Sequence, residues 1–218
     1  MRVEKTAADR RLEKIIVPYR TRVDELLSEP VVVSEFPLEK GLPESGLSNA
    51  IADAVFTFAK TWSGRQRPDA LPEMCLLNSG GIRTALPAGT LTMGQMYEVM
   101  PFENEIVLLR LTPQNMRALV DYVAEKGGAP VAGIRLQLLG DKAGAVELGR
   151  GAYAFDRDVW VATSDFLASG GDGMNFFAAP AEYLETKIKV RDAITGYFKG
   201  FAAEGRPLQA VKDGRIYR

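Results

Sequence analysis

The run Met74-Cys75-Leu76-Leu77-Asn78-Ser79-Gly80-Gly81-Ile82-Arg83 decides how the rest of the chain is read. Four apolar residues in a row predict a short buried strand, which has to end at Asn78, where polar residues and glycines begin. Gly80 and Gly81 open backbone conformations that other residues avoid, and Arg83 follows directly. Exposed backbone N–H groups beside a guanidinium suit a phosphate or carboxylate, because the planar fork makes two charge-assisted hydrogen bonds. Taken alone, the segment reads more readily as a tight turn with a surface arginine, because adjacent glycines are common in turns.

Downstream, Glu105 to Leu111 is the clearest strand. It runs into Thr112-Pro113, a helix cap followed by proline in the first helical position. The helix buries Met116, Leu119, Val120 and Val123 and stops at Gly127-Gly128. Ile134 to Leu139 and the stretch around Val146 read as two strands joined through Gly140-Asp141-Lys142-Ala143-Gly144. Asp158 to Ser164 is a further strand, leading into Asp165-Phe166-Leu167-Ala168-Ser169-Gly170-Gly171-Asp172-Gly173. A last helix over about 188–202 carries Val190, Ile194, Tyr197, Phe198 and Phe201, and a small hairpin is expected around Asp213-Gly214.

Upstream, Leu47, Ile51, Val55, Phe58 and Trp62 mark a helix, and Val31-Val32-Val33 a short strand. Residues 4–29 place Ala8, Leu12, Ile15, Tyr19, Val23 and Leu26 at helical spacing, with a kink or break expected near Val17 because Pro18 follows. Hairpins and helices in this order predict an α+β domain with a mixed β-sheet and packed helices over 31–218, preceded by a helical extension over 1–30.

Composition narrows the chemistry. The 218 residues carry a formal net charge of -1, so no bulk field selects a nucleic acid polymer or an acidic membrane. No histidine is present, which removes the commonest general base and transition-metal ligand. The single cysteine, Cys75, excludes an internal disulfide and a thiolate zinc cage, and its apolar neighbours mark it as a small buried hydrophobe. No carboxylate metal signature is visible, and no apolar stretch is long enough to span a bilayer as a helix. The charged start, Met1 to Lys5, has no signal-peptide core; the expectation is a cytosolic protein or one whose leader has been removed.

Two further loops stand beside the first. In 164–173 three glycines in four positions let the backbone approach a ligand or fold on itself. Asp172 can accept from a base or ribose or stabilise the turn through its own backbone, and Phe166, which alone reads more readily as core, can stack on a flat ring. Pro101-Phe102-Glu103-Asn104 reads as a strand-entry turn with Phe102 buried. Together, NSGGIR at 78–83, PFEN at 101–104 and SDFLASGGDG at 164–173 resemble, in order and spacing, motifs of the C-terminal domain of the 5′-nucleotidase / UDP-sugar hydrolase family. Pro43 to Asn49 and Ala52-Asp53-Ala54 are similar to the segment that opens that domain, so the resemblance spans roughly 31–212.

The resemblance implies a domain that grips a nucleotide or sugar-phosphate ligand, while a dinuclear metal site in another domain hydrolyses the phosphate ester. Carried over by position, it implies Arg83 at the phosphate, Phe166 as a stacking face, Asp172 at the ribose, and Asn78, Gly80, Gly81, Asn104, Gly170 and Gly171 around them. No catalytic residue, metal or cofactor is expected in this chain; divalent metals are expected in a separate metallophosphoesterase polypeptide. The alternative is a ligand-binding module without a catalytic partner. Glu103 replaces the family's glycine, and 127–133 lack the aromatic expected to complete the sandwich around the base. The family's export implies a periplasmic or cell-envelope location, with the cytoplasm left open.

Overall fold

The computed structural model describes residues 10–149 and 151–218. In chain order the elements are α1 (Arg10–Leu27), β1 (Pro30–Ser34), α2 (Gly46–Gln66), β2 (Met74–Leu76), β3 (Gly89–Thr92), α3 (Met93–Val99), β4 (Glu105–Leu111), α4 (Pro113–Glu125), β5 (Val131–Ala132), β6 (Ile134–Leu139), β7 (Lys142–Leu148), β8 (Gly151–Ala152), β9 (Val159–Ser164), α5 (Asp165–Ala168), β10 (Glu182–Lys189), α6 (Val190–Ala203) and β11 (Ile216–Tyr217). The fold is α+β, as its sequence pattern predicts.

The central sheet has the order β10-β4-β9-β2-β5, and β2 runs parallel to β9 while the other neighbours are antiparallel. Its middle strand pairs are buried on both faces, which explains why β4 is an unbroken apolar run rather than an alternating one. Ile106 and Leu108 face a layer built by α2 and α6, with Ile51, Val55, Ile194 and Phe198 in its core. Val107, Leu109 and Leu111 face the opposite layer, where α4 contributes Met116, Leu119, Val120 and Val123. Cys75 is buried in the first layer, and burial pushes its thiol far above the ordinary range. It is a packing residue.

The caps follow the local sequence. Thr112 Oγ1 accepts from the Asn115 amide at 3.3 Å at the start of α4, and Ser45 Oγ accepts from the Ser48 amide at 3.1 Å at the start of α2. Asn49 is buried inside α2 and donates to the Glu44 carboxylate and the Val211 carbonyl, each at 2.9 Å. The family-like segment around Asn49 therefore locks the C-terminal tail to α2.

Three expectations change. Helix α1 runs through Pro18 without a break, and the expected start at residue 4, with Ala8, lies outside the described residues. The apolar side chains of α1 stay largely exposed, and the helix meets the domain at α3. The tail forms no hairpin at Asp213-Gly214. Instead β11 adds to β6 in parallel, because Arg215 is tied to Asp53 at 2.8 Å and to the Val131 carbonyl at 2.8 Å. Strands β3 and β10 and helix α3 were not expected. Among the described residues, no helix is long and apolar enough to cross a membrane.

Candidate functional site

The sheet brings the three loops together. Because β2 and β9 are parallel neighbours (Met74 opposite Val161), the loops that leave their carboxyl ends emerge at the same edge of the sheet. Such crevices are where open sheets with parallel strands bind ligands. β4 is antiparallel to β9, with Ile106 opposite Ser164, so the segment that enters β4 lies at that edge as well. Asn78, Gly80, Gly81, Arg83, Phe102, Asn104, Phe166 and Asp172 line one cavity of about 220 Å³. Of the residues singled out from sequence, Gly170 and Gly171 do not line it; they shape the loop beneath.

Each loop is held by particular contacts. The Arg83 amide donates to the Val99 carbonyl at 2.9 Å, its Nη1 donates to the Gly80 carbonyl at 3.1 Å, and its guanidinium carbon lies 5.9 Å from the Phe102 ring centroid. Lys40 Nζ donates to the Ile82 carbonyl at 3.0 Å, which brings a second cation to the same loop. Asn78 Nδ2 donates to Asp172 Oδ2 at 2.5 Å and so joins the first loop to the third. Asp172 sits in the left-handed region at φ 55°, a conformation that Asp tolerates better than most residues, and the Tyr122 hydroxyl donates to its carbonyl at 2.9 Å. Burial raises the Tyr122 phenol above its ordinary pKa, so it remains a protonated donor. A Cβ at Gly171 would lie 2.5 Å from the Phe166 ring, so this position has to be glycine for the ring to rest there.

The aromatic walls differ from the sequence reading. Phe102 is not buried in a turn: it is 41% exposed and, like Phe166 at 44%, opens onto the cavity. Residues 127–133 do not line this cavity, and Phe102 and Phe166 are its two aromatic residues. Glu103, next to it, lies outside the cavity lining and pairs with Arg191 and Lys189. Those hydrogen bonds, Arg191's first, hold its carboxyl down at about 2. The replacement of glycine by glutamate thus adds no free carboxylate to the cavity.

A wider cleft of about 430 Å³ lies between α2 and the β6–β7 hairpin. Within it Arg215 pairs with Asp53 and Asp213, and Glu73 with Arg157, and none of the three loops lines it. Among the described residues, no three His, Cys, Asp or Glu side chains come together to hold a metal ion.

Comparison with known proteins bears on the family. The family model for the 5′-nucleotidase C-terminal domain matches residues 28–179. The trifunctional nucleotide phosphoesterase YfkN of Bacillus subtilis is 32% identical over 150 residues, which are 62% of this chain and 10% of that protein. A 5′-nucleotidase of Vibrio vulnificus is 23% identical over 209 residues, 94% of this chain and 36% of that protein. The chain thus spans about a third or less of the length of these relatives. Among solved structures, the 5′-nucleotidase precursor of Thermus thermophilus superposes with a TM-score of 0.74 at 25% identity, over 94% of this chain and 42% of that one. With its three loop motifs gathered at one sheet edge and the family model matched across most of its length, this chain belongs to the 5′-nucleotidase C-terminal domain family.

Proposed function

We propose that this chain is the ligand-recognition domain of a 5′-nucleotidase-type phosphohydrolase. In this reading it binds a nucleotide or sugar nucleotide, and a metallophosphoesterase unit outside these 218 residues supplies the divalent metals and the attacking water. The observation that carries it is the pairing, in one cavity, of two exposed aromatic rings with an Asp–Asn pair and an arginine that forms no ion pair among the described residues. A flat base between Phe102 and Phe166 gains about 1–3 kcal/mol of stacking per ring. Asp172 and Asn104 offer an acceptor and an amide to ribose or base, and Arg83 is at hand for the phosphate.

Size supports a partial grip. Pockets that enclose a whole small molecule run from about 300 to 1,000 Å³. A cavity of about 220 Å³ falls below that range, which supports enclosure of only part of the ligand and leaves the rest within reach of a second unit. Holding the ester in place would by itself supply part of the rate gain. A periplasmic or cell-envelope setting, implied by the family resemblance alone, belongs to the same proposal.

Calorimetric titration with AMP, adenosine, ribose 5-phosphate and UDP-glucose tests the reading. AMP is expected to bind more tightly than adenosine, and Arg83→Ala to abolish that difference with a loss of about 10-fold or more. Binding of none of the four would overturn the reading. Metal-dependent release of phosphate from AMP by this chain alone, lost in Arg83→Ala, would overturn the division of labour.

A further inference from the structure

The first turn of α6 lies behind the cavity wall that carries Phe102 and Asn104, and it grips that wall at several points. Arg191, only 3% exposed, donates from Nη1 to the carbonyls of Met100 at 3.1 Å and Phe102 at 3.3 Å. Its Nη2 pairs with the Glu103 carboxylate, and its guanidinium carbon lies 4.0 Å from the Tyr97 ring centroid. Next to it, the Val190 amide donates to the Asn104 carbonyl at 2.9 Å. Lys189 reaches Glu103 from the same strand end. Every residue from Met100 to Asn104 except Pro101 is therefore bonded to the junction of β10 and α6.

A buried cation is costly unless its donors are satisfied and its charge is balanced. Here two carbonyls, one carboxylate and an aromatic face meet those needs together. Only a planar fork serves them all; an ammonium is a point donor and cannot stack in the same way. With those bonds made, the backbone on either side of Phe102 has little freedom, and the ring is presented to the cavity rather than folded back into the core. Glu103 supplies the countercharge, which gives the glutamate at this position a task away from the ligand.

We propose that Arg191 is a positioning residue: backed by Tyr97 and balanced by Glu103, it sets the Phe102 ring and the Asn104 amide, and so sets the preference of the cavity for a flat ring system over a bare sugar phosphate. The proposal rests on reading that cavity as a ligand site, and the test separates the two. Arg191→Lys and Glu103→Gln are compared with the unsubstituted chain for binding of adenosine and of ribose 5-phosphate. Amide hydrogen exchange at Val190, Ile194 and Phe198 is followed in the ligand-free proteins.

For Arg191→Lys, adenosine affinity is expected to fall about 10-fold, the scale of one lost charge-assisted hydrogen bond, while ribose 5-phosphate changes less than about 2-fold. Glu103→Gln, which is exposed and leaves α6 intact, is expected to follow in the same direction with a smaller effect. Val190 should exchange at least about 10-fold faster in Arg191→Lys, with Ile194 and Phe198 unchanged. Equal losses for both ligands, or adenosine binding untouched by both variants, overturn the proposal. If the unsubstituted chain binds neither probe, the ligand reading fails and takes the claim on ring preference with it. Positioning is then decided by Val190: unchanged exchange in both variants refutes it, and faster exchange confined to Val190 upholds it.

Discussion

Replacement of Gly171 by alanine is the sharpest test of how the third loop presents Phe166. The added Cβ would stand 2.5 Å from Phe166 Cε1, 2.6 Å from Cζ and 2.6 Å from the Phe166 carbonyl oxygen. Carbon atoms settle at roughly 3.5–4.0 Å, so something has to move by about 1 Å. The ring can swing about its own bonds. The carbonyl is fixed in the chain and accepts from Ser169 Oγ at 2.7 Å, so it resists. Gly171 is not among the glycines with positive φ, so crowding alone is at issue. Overpacking of this kind costs about 1–3 kcal/mol, and at roughly 2–4 °C per kcal/mol the melting temperature should fall by roughly 2–12 °C. A displaced Phe166 also loses its stacking contact, about 1–3 kcal/mol, so adenosine should bind roughly 10- to 100-fold more weakly by calorimetry. Gly80→Ala is the stability control: its nearest atoms would be 3.5 and 3.6 Å away, and its melting temperature should hold within about 2 °C. A Gly171→Ala protein that melts and binds like the parent would refute the account of the loop.

Three further outcomes follow from the packing and charges. Glu103 has its carboxyl lowered from 4.5 to about 2 in the folded chain, so its stabilising contribution is complete above about pH 4.5 and disappears as pH falls towards 2. The difference in unfolding free energy between the parent and Glu103→Gln, measured by urea titration, should therefore be level from about pH 5 to 8 and shrink below about pH 4.5. Arg215→Met removes bonds to Asp53, Asp213 and the Val131 carbonyl, and should cost about 1–3 kcal/mol in urea denaturation while releasing the tail from β6. Deletion of residues 1–27 should leave a folded domain less stable by no more than about 1–2 kcal/mol, since Leu12, Ile15, Tyr19, Val23 and Leu26 are all exposed and Leu27 is only partly covered; loss of the cooperative transition would show that α1 belongs to the domain's core.

What the sequence made legible is what local rules dictate. β4 and α4 were readable because an apolar run buried on both faces ends at a Thr-Pro helix start, and both signals are contiguous. β10 was not: Glu182 to Lys189 alternates charged and partly exposed residues, and its identity as a strand comes from pairing with β4, beginning at Glu182 opposite Arg110. α3 did carry a signal, since Thr92 and Gln95 form a reciprocal capping box, but seven residues give too few turns for periodicity to stand out. Asp213-Gly214 has the composition of a hairpin turn, and a salt bridge from Arg215 to Asp53 on α2 overrides it.

The candidate site divides in the same way. Arg83, Phe166 and Asp172 stood out because they lie in glycine-containing segments that resemble family motifs in order and spacing, and each of those segments is contiguous. Phe102 did not, because a phenylalanine after a proline looks the same whether it turns inwards or outwards. The choice is made by Arg191, 88 positions from Glu103 and written in the sequence as one more charged residue at a helix start. A residue whose burial results from a distant partner leaves no periodic trace. The convergence of the loops has the same origin: it depends on β2 lying parallel to β9, a pairing that brings Met74 opposite Val161. Reversing that one strand would send the loop at Asn78 to the opposite edge of the sheet, with every motif unchanged. The motifs name the family, but only the strand order gathers them around one cavity.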